Sequence, residues 1–147
     1  MSRKQHLKIF EDQCSLQNKN ILIWNKYSTN KNKKSLLDYI EKNSKNIRSK
    51  FLHYHNLVSK IKCKKKYISE FFNIDKKFSF WWITHFNEKN LFLSNSILTN
   101  LIKFIALKEI IHKQKVKEIS FYFKNKNLKN VLKFYCENQN IKFNSYK

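Results

Sequence analysis

The chain has 147 residues, of which 41% are hydrophobic and 16% aromatic, and a formal net charge of +21 from 31 basic and 10 acidic residues. That length suits one domain, or one domain with a short extension, and the apolar content excludes a disordered chain in spite of the charge. Glycine and proline are absent, which excludes a Walker loop and a GxGxxG turn, because both need glycine for positive φ and close backbone approach to a phosphate.

Residues 1–20 are polar and read as a loosely ordered N-terminal segment, in which Leu7, Ile9 and Phe10 would dock at most as a short strand or turn. Residues 21–147 read as a single α/β domain. Ile21-Leu22-Ile23-Trp24 is a short apolar run with the character of a buried strand. Ser35 and Asp38 have the spacing of a capping box, and Leu36, Ile40, Ile47, Phe51, Tyr54, Val58 and Ile61 then follow at helical steps. Asn43-Ser44-Lys45-Asn46 marks the expected break, because Ser and Asn compete for helix hydrogen bonds. His53 and His55, two apart on a helix, point to different faces and do not share a metal. Lys60 to Lys66 reads as a basic linker able to touch phosphates or anionic lipid, and first of all as a solvated connection. Tyr67 to Phe72 is a short amphipathic element with helical character.

Phe78 to Asn90 is the aromatic centre of the sequence: F-S-F-W-W-I followed by T-H-F-N-E-K-N. The β-prone half predicts a buried strand, which would leave His85, Glu88 and Lys89 at its end, where sites collect in sheets flanked by helices. A helix follows from Ser96 to His112, apolar over most of its circumference. Val116 to Lys124 alternates, with Ile119, Phe121 and Phe123 on one side and Glu118, Ser120 and Tyr122 on the other. Leu128, Val131, Leu132 and Tyr135 give another helix stripe, and Ile141-Lys142-Phe143 opens a further strand. Strand, helix, strand, helix, strand predicts a small, mainly parallel, Rossmann-like α/β sheet flanked by helices, with more strands to follow: an incomplete N-terminal lobe.

Arg3 and Arg48 are the only arginines, so the basic charge is nearly all lysine. Lysine, asparagine, isoleucine, phenylalanine and tyrosine have AT-rich codons, so base composition accounts for much of this pattern. The lysine runs therefore read first as solvated faces and second as a polyanion site. With glycine missing, asparagine is expected at most turns and helix ends. Cys14, Cys63 and Cys136 form no CxxC pair and read as free thiols in a reducing compartment. Residues 1–12 carry no signal-peptide core, and no run is apolar enough to span a membrane. The expected location is the cytoplasm, with a peripheral position at the inner membrane as a variant. No cofactor or metal site is expected.

The W-W…E-K run (Phe80, Trp81, Trp82, Thr84, Glu88, Lys89 and Asn90), together with Lys103 to Ile111, resembles bacterial surface-carbohydrate biosynthesis proteins of the glycosyltransferase-like kind. The resemblance extends over residues 20–143. It implies a two-lobed transferase of which this chain is the N-terminal, acceptor-side lobe, inactive until a missing C-terminal lobe or partner chain completes it. On that resemblance Glu88 or His85 would act as general base on an acceptor hydroxyl. Lys89 would neutralise an anionic sugar or lipid-linked phosphate, Asn90 would contact substrate, and Trp81 or Trp82 would stack on a sugar ring. The alternative for these residues is ordinary: core tryptophans, a loop ion pair and a rim histidine. Two other functions stand beside the transferase reading. One is a basic nucleic-acid-binding module, disfavoured by the shortage of arginine and by aromatics set in apolar runs. The other is a non-catalytic split lobe that pairs with another chain through an open sheet edge.

Overall fold

A computed structural model describes residues 6–12, 20–28, 33–74, 79 and 96–146, with the backbone alone for 96 and 97. The chain divides into two compact units, one of residues 1–44 and 103–147 and the other of residues 45–102.

The first unit is built on a five-stranded sheet. Its strands are β1 (His6–Phe10), β2 (Ile21–Ile23), β3 (Lys33–Ser35), β6 (Glu118–Tyr122) and β7 (Lys142–Tyr146). They lie in the order β3-β2-β1-β6-β7, and every adjacent pair is parallel. This is a small Rossmann-like α/β fold. Strand β2 is buried at all three residues, the near-continuous apolar run that a strand covered on both faces requires. Strand β1 alternates instead, whereas β6 is buried at its three central residues, Ser120 included. Leu7, Ile9, Leu22, Ile119 and Phe121 are fully buried in register across three strands, each contributing about 1.5–3 kcal/mol.

The segment at residues 1–20, expected to be loosely ordered, holds the middle strand of this sheet. The sequence signal is faint for a physical reason. His6, Lys8 and Phe10 point away from the buried row and are half-exposed, so only two aliphatic residues mark the strand, and they gain their burial from residues more than a hundred positions away in β6.

Helix α1 (Leu36–Lys42) starts where the capping spacing predicts. Ser35 caps it, its hydroxyl accepting from the N–H groups of Leu37 at 3.1 Å and Asp38 at 3.3 Å. The expected break falls at Asn43, the C-cap. Helix α3 (Ser96–Gln114) enters this unit at Lys103, and α4 (Lys126–Asn138) joins β6 to β7. These helices form one layer. Tyr39 of α1 donates to Glu109 of α3 at 2.8 Å, and Phe104 of α3 packs edge-on against Tyr135 of α4 at 5.4 Å. The buried stripe of α4 is Leu128, Leu132 and Cys136; Val131, expected in it, is exposed.

The second unit contains α2 (Ser44–Ser59) from Lys45 onward, a hairpin of β4 (Lys62–Cys63) and β5 (Lys66–Tyr67), and a 3₁₀ turn, Ile68–Phe72. The basic stretch at 60–66 is therefore a hairpin rather than a linker. Its two-residue tip, Lys64 and Lys65, has φ of 49° and 71°, the positive values that a tight hairpin turn requires. Lysine thus takes a role expected of asparagine. The described residues with positive φ are Asn20, Lys64, Lys65, Lys115 and Asn140. Asparagine does cap the helices at Asn43 and Asn125. Among the described residues, no helix is long and apolar enough to cross a membrane.

Candidate functional site at the carboxyl edge of the sheet

The residues singled out in the sequence as site candidates, Trp81, Trp82, His85, Glu88, Lys89 and Asn90, lie outside the described residues. From the aromatic stretch only Ser79 is described. It is buried, bridges to Asn73, and donates its hydroxyl to the Ser69 carbonyl at 3.1 Å.

The strand order itself marks another location. From β1 the chain builds outward to β2 and β3 on one side, then returns to build β6 and β7 on the other. At such a switch point the connections leave in opposite directions, and ligands of open α/β sheets bind in the crevice outside the carboxyl ends of the strands. Here that edge is formed by Glu11 and Asp12 after β1, Asn25 and Lys26 after β2, and Lys124 and Asn125 after β6. The backbones of β1 and β2 stay paired beyond the strands: Trp24 N–H donates to the Phe10 carbonyl and Asn25 N–H to that of Glu11, both at 2.9 Å. This holds the Asn25 side chain in a defined position beside the end of β1.

Into this edge α3 delivers Lys103. Its side chain is buried, and its ammonium donates to Asn25 Oδ1 at 2.8 Å. Burial lowers its pKa below the ordinary lysine range, and the negative charge of Asp12 opposes the shift. A buried ammonium normally faces a carboxylate. Here the hydrogen-bond partner is a neutral amide, and Asp12 pairs instead with Lys26 at 3.8 Å. Glu11 faces the Lys124 N–H at 3.5 Å, and Asn125 caps α4 by accepting from Leu128 N–H at 3.1 Å. The edge thus combines an ammonium only partly compensated, two carboxylates and an amide. Its hydrogen-bonding groups are one donor cation, carboxylate acceptors and an amide that can do both. Without glycine it has no backbone cradle for a diphosphate.

Other polar clusters among the described residues of the unit are satisfied internally. Lys113 donates to the Tyr39 hydroxyl at 2.8 Å and lies 3.9 Å from Glu109, which fastens α1 to α3. On the sheet face opposite the buried row, His6 Nε2 lies 2.8 Å from Ser120 Oγ. Glu118 accepts from Asn144 at 2.8 Å and pairs with Lys142 at 3.2 Å, and the Lys142 hydrogen bond holds its carboxyl below the usual range. Phe10, Tyr122 and Tyr146, in register across three strands, stack with ring centroids 4.3 Å and 4.8 Å apart. Cys136 is buried, and its thiol is pushed up to about 11 by that burial, whereas Cys63 is exposed; both are free thiols.

The sequence does not mark Lys103 and Asn25 as a site. Its one signal is a lysine within the apolar surface of α3; nothing local points to Asn25. No family model matches the chain, and no characterised protein or solved structure is detectably similar to it.

Proposed function

We propose that this chain is the acceptor-side lobe of a glycosyltransferase-like protein of surface polysaccharide synthesis, and that it binds an anionic saccharide at the carboxyl edge of β1, β2 and β6. The observation that carries the reading is the buried Lys103 side chain, its ammonium held on Asn25 at the carboxyl end of β2, one strand from the switch point between β1 and β6. The W-W…E-K sequence run supports the same class. In this reading Lys103 orients the phosphate or carboxylate of the ligand, and Asn25, Glu11 and Asp12 take its hydroxyls. Glu88 and His85 are the candidates for general base, and Trp81, Trp82, Lys89 and Asn90 for ligand contact. Catalysis requires a second lobe, in the same chain or a partner.

The test is a titration of the isotopically labelled chain with sugar phosphates and uronic acids, followed by amide chemical shifts. Shifts centred on Glu11, Asn25 and Lys124, lost in Lys103→Met, are expected. No shift with any of these ligands, or shifts confined to other strands, rejects the reading.

A second reading, a single-stranded nucleic-acid module, is favoured by the Phe10–Tyr122–Tyr146 row beside Lys8 and Lys142. It is weakened by the stacking itself: the rings cover one another, so the row offers a base its end at Tyr146 rather than three open faces. Retention on poly(U) that falls steeply with salt and is lost in Tyr146→Ala would favour it.

A further inference from the structure

The second unit carries an unusual surface. Its hairpin and 3₁₀ turn are folded tightly on themselves. Ile68 N–H donates to the Ile61 carbonyl at 2.9 Å, Ser69 Oγ to the Ser59 carbonyl at 3.3 Å, and Tyr67 N–H to Glu70 at 2.7 Å. Yet this folded stretch keeps large apolar side chains partly exposed. Ile61 is 50% exposed, Phe71 52%, Phe72 39% and Ile74 60%. A short, ordered segment that presents four such side chains marks an interaction surface.

The same segment presents Lys60, Lys62, Lys64, Lys65 and Lys66, with Glu70 as its one acidic residue. Lys62 lies 5.0 Å from the Tyr67 ring centroid, and the positive φ of Lys64 and Lys65 fixes the turn from which the tip lysines project. Apolar side chains beside a lysine cluster fit an interface that is negatively charged on the outside and hydrocarbon just beneath. Nucleic acid fits less well. Aromatic rings stack on bases, but Ile61 and Ile74 have no π face, and a phosphate backbone offers them nothing.

We propose that the β4–β5 hairpin and the following 3₁₀ turn dock this protein on an anionic lipid surface. The lysines engage headgroup phosphates, and Phe71, Phe72, Ile61 and Ile74 enter the acyl boundary. The proposal does not rest on the acceptor-lobe reading, because it uses residues of the other unit and needs no bound sugar.

The test is co-sedimentation of the full chain with vesicles of phosphatidylcholine alone and with one-third phosphatidylglycerol. Since the whole chain is basic, the comparison that decides is between two variants of equal charge loss. Lys64→Gln/Lys65→Gln/Lys66→Gln is expected to lower affinity for the anionic vesicles about a hundredfold. Lys117→Gln/Lys126→Gln/Lys133→Gln, on the sheet unit, is expected to lower it less than tenfold. Phe71→Ser/Ile74→Ser is expected to retain binding at low salt and lose it at high salt, where only apolar insertion holds. Phe71→Trp is expected to add an indole emission, over that of the parent chain, that shifts to the blue on vesicles. Circular dichroism confirms that each variant is folded, and for any variant that is not, the Phe71→Trp signal decides alone. Equal losses from the two lysine triples would mean bulk charge and overturn the proposal. So would an added emission in the Phe71→Trp variant that lipid leaves unchanged, or loss of poly(U) binding in the hairpin variants with vesicle binding intact.

Discussion

Among the described residues, Lys103 sits in an environment that its chemistry does not favour. Its side chain is buried, its hydrogen-bond partner is uncharged, and its pKa is lowered by desolvation. A lysine with a folded-state pKa below its ordinary 10.5 makes the unfolded chain bind more protons between those two values. Stability therefore rises with pH across that window, and below it the full cost of the buried charge is borne. Lys103→Met keeps the stem and removes the charge. It should raise unfolding stability at neutral pH by roughly 1 kcal/mol or more, with the gain shrinking as pH approaches the unfolded lysine value. Urea titrations of both proteins at neutral and alkaline pH measure this. A variant that is more stable yet no longer binds ligand would identify a residue kept for function at a cost in stability; a variant that is less stable would mean that the Asn25 hydrogen bond outweighs the buried charge.

At the scale of elements, local chemistry sets most boundaries. Ser35 starts α1, Asn43 ends it, and Asn125 starts α4 through one side-chain bond to Leu128 N–H. Asn125→Ala should cost about 1 kcal/mol, read as a lowered urea midpoint with an unchanged slope; no loss would mean that the first turn of α4 is held by packing alone. The alternation in the β6 sequence is readable because polar and apolar residues take turns along it, and Ile119, Phe121 and, just beyond the strand, Phe123 are buried as expected, although Ser120 is buried too. The hairpin at 62–67 is not readable, since lysine carries no turn signal and only the backbone reveals its positive φ. Strand β1 is legible only as a short strand or turn at Leu7, Ile9 and Phe10, and not as the middle of the sheet, because it is five residues long with two aliphatics.

At the scale of the whole molecule, the net charge of +21 sets the conditions under which the fold is most stable. The ion pairs among the described residues include Lys26–Asp12 at 3.8 Å and Lys133–Glu137 at 3.8 Å, both exposed on each side. Pairs of this kind contribute little. Self-repulsion should therefore outweigh them, and salt should stabilise the protein by screening it. Raising sodium chloride from about 0.01 M to about 0.15 M shortens the screening length from roughly 30 Å to roughly 8 Å and should raise Tm by several degrees in a thermal melt. A fall in Tm would show that attractive pairs dominate.

Composition, periodicity and capping chemistry determined that this chain folds as a small parallel α/β sheet, that a helix starts at Ser35, and that no glycine loop cradles a phosphate. These are local properties, set by neighbours along the chain. The tertiary structure alone decided that β1 lies at the middle of the sheet and that Lys103 meets Asn25 across 78 positions of sequence. It also decided that a lysine run closes into a hairpin beside exposed Phe71 and Ile74. Parallel strands take their partners from distant segments, and a side chain acquires its environment only when those segments meet.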